Sequence, residues 1–280
     1  MLHSLFVVNN PSMTSMAPAP TEGAALEPLT PRSIVLSVLL GSHPPRMPVG
    51  RILDFTSLFG LADGAVRTAL SRMVAGGDLV NDDGLYRLAG RLVERQAQQD
   101  TGREHPPADW DGSWWTVAVL ADRRTMADRR AFRAWAIGAR LGELRPDLWL
   151  RPANIVIPLD APDAVVTRGP IVTGDPPRLV GRLWDLDGLH RQSLAHRAAL
   201  DEAARQLADG DDRSLVDAFV TLAAAQQFLR TEPRLPHELD PHNSSGPVRD
   251  RYGDVVDDFQ RRLGAFFARR GAERLSTGAR

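Results

Sequence analysis

Between Gly60 and the pair Gly76-Gly77 the chain carries one uninterrupted segment, Leu61–Ala75, whose residues divide by face. On a helical projection Val66, Ala69, Leu70, Met73 and Val74 gather on one side, and Arg67, Thr68, Ser71 and Arg72 on the other. Such a helix can bury one face in a domain while offering two guanidinium forks and two hydroxyls outward. Those donors suit phosphate oxygens and guanine edges, so the segment reads as a recognition helix for DNA. An ordinary amphipathic surface helix with solvated arginines is the simpler alternative.

The flanking sequence bears on that choice. Arg32 to Leu40 is an apolar run closed by Gly41 and Ser42-His43-Pro44-Pro45-Arg46, which predicts a first helix ending there. Val49 to Phe59 has helical spacing, with Gly60 as a stop residue suited to positive φ and Asp63 as N-cap of the next helix. After Gly76-Gly77-Asp78, the pattern Leu79-Val80, Asn81 to Gly84, Leu85 to Leu88 spells strand, turn and strand. Three helices and a hairpin in this length make a winged helix-turn-helix over residues 30–95. In it Arg67, Thr68, Ser71 and Arg72 would enter the major groove, and Arg87 in the wing would lie near phosphate or the minor groove. The segment is only mildly basic: Arg32, Arg46, Arg51, Arg67, Arg72, Arg87, Arg91 and Arg95 stand against Asp54, Asp63, Asp78, Asp82, Asp83 and Glu94.

Val66 to Met73, the following Gly-Asp-Leu-Val and the Tyr86-Arg87-Leu88 of the wing resemble the N-terminal domain of the PaaX family of bacterial transcriptional regulators, named for repression of phenylacetic acid degradation. The resemblance continues through Trp114 to Leu120, the Arg-rich segment after it, Leu148 to Pro152, Leu183 to Leu189, and Phe228-Leu229-Arg230 with Pro233 to Leu239, in the family's order. It spans roughly residues 30 to 270. It implies a Cas2-like fold for the middle of the chain, and repression relieved by an aromatic acyl-CoA, typically phenylacetyl-CoA. Where the family shows a Trp-Pro-Gly segment this chain has Asn243-Ser244-Ser245-Gly246, a departure from the pattern in that loop.

With 280 residues the chain has room for two or three domains. A formal net charge of −1 excludes a polycation, so DNA binding must rest on a local face. All 34 basic residues other than histidine are Arg, a pattern of codon bias in a GC-rich genome, and Cys is absent, which excludes disulfides and thiolate metal sites and fits a reducing cytoplasm. Residues 1–29 lack a basic n-region and a long apolar run. They read as a disordered leader, with Met13 or Met16 as an alternative initiator. No stretch suits a membrane span.

Residues 96–112 read as a linker, with Gly102 and Pro106-Pro107 ending any helix. From 113 to 182, a strand at Trp114–Leu120, a helix at Thr125–Leu141, a strand at Leu148–Leu150, and further candidates at Ile155–Ile157 and Val165–Val166 or Ile171–Val172 suit a ferredoxin-like α+β domain. Residues 183–272 read as a helical domain with helices at 189–208, 212–230 and 248–270, before a disordered tail at 273–280. The stripe Tyr252, Val255, Val256, Phe259, Leu263, Phe266 and Phe267 is either buried in its own domain or shared with a second copy. A homodimer is expected, because one winged helix reads few base pairs while a two-fold pair engages a palindromic operator.

Other constellations are less specific. His237 and His242 are five apart with Pro241 between them, and His190 and His196 are six apart, so neither pair shares a helical face for a metal. Arg123, Arg124, Arg129 and Arg130 can meet phosphates but are more simply surface charges balanced by Asp122 and Asp128. Trp184 reads as a plug at a domain junction, with Asp185 or Asp187 capping the next helix. No nucleophile elbow or phosphate loop is present, so no catalytic residue, cofactor or metal is expected and the ligand-binding residues stay unassigned. The expectation is a cytoplasmic, non-enzymatic DNA-binding regulator. The alternatives are a metal-dependent nucleic-acid-processing enzyme using Asp122, or a winged helix serving only protein interaction.

Overall fold

The computed structural model describes residues 30–40, 42, 44–90, 92–93, 109–120 and 124–278. The expected leader, most of the expected linker, Asp122, Arg123 and the last residues of the expected tail lie outside them. In chain order the elements are α1 (Pro31–Leu40), β1 (Arg46–Pro48), α2 (Val49–Ser57), α3 (Asp63–Ala75), β2 (Leu79–Asp82), β3 (Leu85–Leu88), β4 (Ser113–Val119), α4 (Met126–Gly138), β5 (Gly142–Arg145), β6 (Leu148–Pro152), β7 (Ala164–Pro170), α5 (Pro176–Leu183), α6 (Leu186–Asp209), α7 (Arg213–Thr231) and α8 (Gly246–Gly278). Among the described residues the fold is therefore mixed, with helices and two antiparallel sheets. Two compact units divide the chain, with boundaries between Glu104 and His105, Ala195 and His196, Gln227 and Phe228, and Arg249 and Asp250. The last three boundaries fall inside α6, α7 and α8, so the expected helical segment 183–272 contributes to both units.

In the first unit α1 starts at a reciprocal cap, where the Thr30 and Ser33 amides donate to each other's hydroxyl oxygens at 2.9 and 3.1 Å. Ile34 to Leu40 are buried all round, as an apolar run without a polar face requires. The small sheet has order β1-β3-β2. Strand β1 was not expected, since three residues ending in Pro48 carry no periodicity; its pairing with β3 makes it a strand. The expected four-residue turn narrows to Asp83-Gly84, because Asn81 and Asp82 pair with Tyr86 and Leu85. Both turn residues have positive φ, 49° and 85°, the geometry that lets a two-residue connection follow the strand twist. Gly60 does carry positive φ, at 71°. Asp63 does not cap α3: the N-cap is Ala62 with no side-chain bond, and Asp63 is the first helical residue, where its charge opposes the helix dipole.

Aromatic rings hold α2 to the later helices of this unit. Phe55 and Phe59 lie 5.5 and 5.2 Å from Phe219 of α7, which lies 6.5 Å from Phe259 of α8. The nearly buried Asp54 accepts from Nη1 of Arg274 at 2.7 Å, and Arg51 stacks over Phe267 at 5.5 Å. Tyr252, Val255, Val256, Phe259, Leu263 and Phe266 are buried and Phe267 is half-buried, so the long stripe is packed within its own chain and offers no free face to a second copy.

The second unit centres on a sheet of order β5-β6-β4-β7. Since β4 and β5 are both antiparallel to β6 between them, they run parallel, joined through α4 as a split β-α-β unit. One face packs Val117 and Trp149 against Phe132, Ala136 and Ala139. The other packs Trp114 and Leu150 against Val180 and Leu239, with Trp184 at its margin. Helix α4 begins at a capping box, Thr125 with Asp128. Of the three later strand candidates, only Val165–Val166 becomes a strand, lengthened to β7. Strand β5 and helix α5 were not expected. Helix α5 opens on Pro176-Pro177, tolerated where amides lack intrahelical partners. Gly142 of β5 is required by close approach, because a Cβ there would stand 2.7 Å from Cβ of Leu183. Asp185, not Asp187, caps α6, its carboxylate accepting from the Gly188 amide at 2.8 Å.

Candidate nucleic-acid interface

Helix α3 buries Val66, Leu70 and Met73 and exposes Arg67, Thr68, Ser71 and Arg72. Of the expected apolar face, Ala69 is half-buried and Val74 is 37% exposed, so the buried stripe is narrower than the projection suggests. The two hydroxyls are engaged within the helix: Thr68 donates to the Gly64 carbonyl at 2.8 Å, and Ser71 to that of Arg67 at 3.0 Å. In this state their oxygens face outward as acceptors, complementary to an amino group on a base edge. Neither Arg67 nor Arg72 has an ion-pair partner among the described residues.

The neighbouring arginines differ. Arg32 is paired with the largely buried Asp78 at 2.7 Å, and Arg87 with Asp82 at 2.9 Å. The latter pair is half-exposed on both sides, a type worth about 0–1 kcal/mol, which a phosphate can displace. Directly opposite Arg87 in the ladder stands Arg46, exposed and without an ion-pair partner among the described residues. Paired residues project from the same sheet face, so Arg46 and Arg87 form one basic edge. Arg46 was missed as a site residue because the sequence shows it in a proline-rich loop; only the β1–β3 pairing reveals it. Beside α3 a depression lined by Thr30, Arg32, Thr68, Arg72 and Asp78 runs along the start of α1.

The other singled-out residues do not assemble into a site. Arg124 pairs with Asp147 and stacks over Phe132 at 5.3 Å, which makes it a packing residue. Asp128 completes the cap of α4, and bonds from Thr125, with a smaller contribution from the charge of Arg124, lower its carboxyl below the usual value. Arg129 and Arg130 are exposed. His237 and His242 lie outside any helix, and no group of three or more His, Asp or Glu poised for a metal occurs among the described residues. No described helix is long and apolar enough to cross a membrane.

Residues 30–92 match the family model described as PaaX-like protein. Among solved structures, the chain is similar to the uncharacterized protein Rv0674 from Mycobacterium tuberculosis, at 33% identity over 85% of this chain and 99% of that one, with a TM-score of 0.68. No curated protein matches it.

Proposed function

Because this chain belongs to the PaaX-like family, we propose that it is a sequence-specific DNA-binding transcriptional regulator, a cytoplasmic repressor of a catabolic operon that acts as a homodimer on palindromic DNA. In this reading residues 30–95 work as a winged helix-turn-helix, with α3 in the major groove and the β2–β3 hairpin as the wing. The strand order of the second unit, β5-β6-β4-β7, supports a ferredoxin-like, Cas2-like middle domain. The observation that carries the reading is the face of α3. Arg67 and Arg72 stand exposed and unpaired beside Thr68 and Ser71, on a helix whose other face is locked into the core by Val66, Leu70 and Met73. Guanidinium forks held on a rigid support are the commonest readers of guanine edges. Arg46 and Arg87 would flank them as phosphate contacts. Two copies related by a two-fold axis would engage half-sites about 34 Å apart or a multiple of it. Phenylacetyl-CoA, or a related aromatic acyl-CoA, would release the DNA.

Fluorescence anisotropy with DNA from upstream of the gene, at several salt concentrations and with and without phenylacetyl-CoA, tests this. Specific binding that weakens with salt, as counterion release demands, and that the thioester reverses is the expected result. Specific binding indifferent to the thioester would remove the effector and keep the regulator. Binding with no sequence preference at any salt would overturn the regulator itself.

A further inference from the structure

The second unit contains four arginines gathered around a single carboxylate. Glu232, 1% exposed, follows the end of α7. Its Oε1 accepts from Nη1 of Arg140 at 3.3 Å and from Nη2 of Arg249, and its Oε2 accepts from the Arg234 amide at 2.7 Å and the Ser245 hydroxyl at 3.0 Å. Arg140 also caps α7, donating to the carbonyls of Leu229, at 3.1 Å, and Glu232. Behind them Arg151 is wholly buried and meets no carboxylate among the described residues. Its Nε donates to the Pro152 carbonyl at 2.9 Å, Nη1 to that of Arg140 at 3.3 Å and Nη2 to Oδ1 of Asn154 at 2.9 Å. Asn154 in turn donates to the Arg234 carbonyl at 2.9 Å, tying the strand to the loop. Asp240, in the same loop, is engaged by the amide and hydroxyl of Ser244 at 2.7 and 2.8 Å.

The guanidinium groups of Arg140, Arg151 and Arg249 against the one carboxylate of Glu232 leave two positive charges unbalanced among these four side chains. Burial lowers the Arg151 pKa to about 9 and the Arg140 pKa to about 10, and in both Glu232 opposes that effect while neighbouring arginines add to it. An uncompensated charge taken from water is costly, and a second anion is the direct remedy. The cluster reaches solvent at Arg249. Arg249 is 40% exposed and engages only Nη2, with Glu232 and Ser245, which leaves its Nε and Nη1 without partners among the described residues. A free guanidinium edge next to excess positive charge matches a doubly charged tetrahedral anion, because phosphate oxygens accept from such forks two at a time.

We infer that the cluster of Arg140, Arg151 and Arg249 around Glu232 is a binding site for the phosphate group of a small molecule, entered at Arg249. It goes beyond the proposed DNA contacts, which belong to the other unit, and does not depend on them. The test uses the full chain and inorganic phosphate as probe, with thermal melting and titration calorimetry at constant ionic strength and chloride as reference. Phosphate is expected to bind and to raise the melting temperature above that in chloride. Arg249→Gln should weaken phosphate binding at least about tenfold, and Arg249→Glu abolish it. Arg205→Gln, at an exposed position outside the cluster, should keep the parent response. Equal melting in phosphate and chloride, or an undiminished response in both Arg249 variants, overturns the inference. So does affinity for duplex DNA of any sequence that falls in Arg249→Gln without any response to free phosphate, since that assigns the cluster to the DNA backbone.

Discussion

Arg67 and Arg87 are both exposed arginines of the first unit, yet one is free and the other is held by Asp82. That difference sets what each substitution should do. Arg67→Ala or Arg72→Ala removes a fork that a neighbouring carboxylate does not compete for. Each is expected to cost about 1–3 kcal/mol of operator affinity and to relax the preference at one base position. Arg46→Ala is expected to weaken all sequences alike and to reduce the salt slope by about one. Anisotropy titrations against the operator and against a set of single-base variants distinguish the two patterns. If both α3 arginines can be removed without loss, the groove assignment is wrong. The faces of α3 were legible from spacing alone, because side-chain direction on a helix follows residue number. Whether a guanidinium on that face finds an acid was not legible, and Asp82 lies fifteen residues beyond Arg67.

Among elements, the helices other than α5 were readable, and the short strands β1 and β5 were not. A helix is stabilised by bonds to the residue four before it, so its pattern is local. Strands β1 and β5, of three and four residues, exist only through the strands beside them. Gly142 shows how tightly β5 is placed: an added Cβ would meet Cβ of Leu183 at 2.7 Å and the Trp184 ring at 3.0 Å. Gly142→Ala is therefore expected to destabilise the chain by about 1–3 kcal/mol through overpacking. Denaturant unfolding measures this, and an unchanged midpoint would mean that β5 and the end of α5 do not approach as closely as described. The same crowding gives Trp184 a structural role, but inside the second unit and not at the domain junction expected from the sequence.

Across the whole molecule, composition and burial combine in the alkaline limb of stability. With no Lys, no Cys and two Tyr, few side chains other than Arg titrate above neutrality. Burial holds the folded-state pKa values of Arg151 and Arg140 at about 9 and 10, well below the ordinary guanidinium range. The unfolded chain consequently binds more protons than the native one from roughly pH 8 upward, and stability is expected to rise with pH there. Below both folded values the two charges are fully present and their burial penalty is at its largest. Melting temperatures between pH 8 and 9.5 at constant ionic strength check the sign. A flat or falling profile would mean that the cluster charges are compensated. A bound phosphate should flatten the rise, because it relieves the same penalty.

From local pattern alone the chain determined its helices other than α5, the exposed face of α3, the Asp83-Gly84 turn region and the family to which it belongs. The tertiary structure decided what depends on residues distant in sequence. It paired Arg87 and Arg32 while leaving Arg67, Arg72 and Arg46 unpaired, and it buried the aromatic stripe of α8 in its own chain. It also drew Arg140, Arg151, Arg234 and Arg249 around Glu232. Periodicity can report which side of an element faces inward, because that is fixed by bond geometry over a few residues. Charge balance, register and close approach are sums over groups that the chain brings together only by folding.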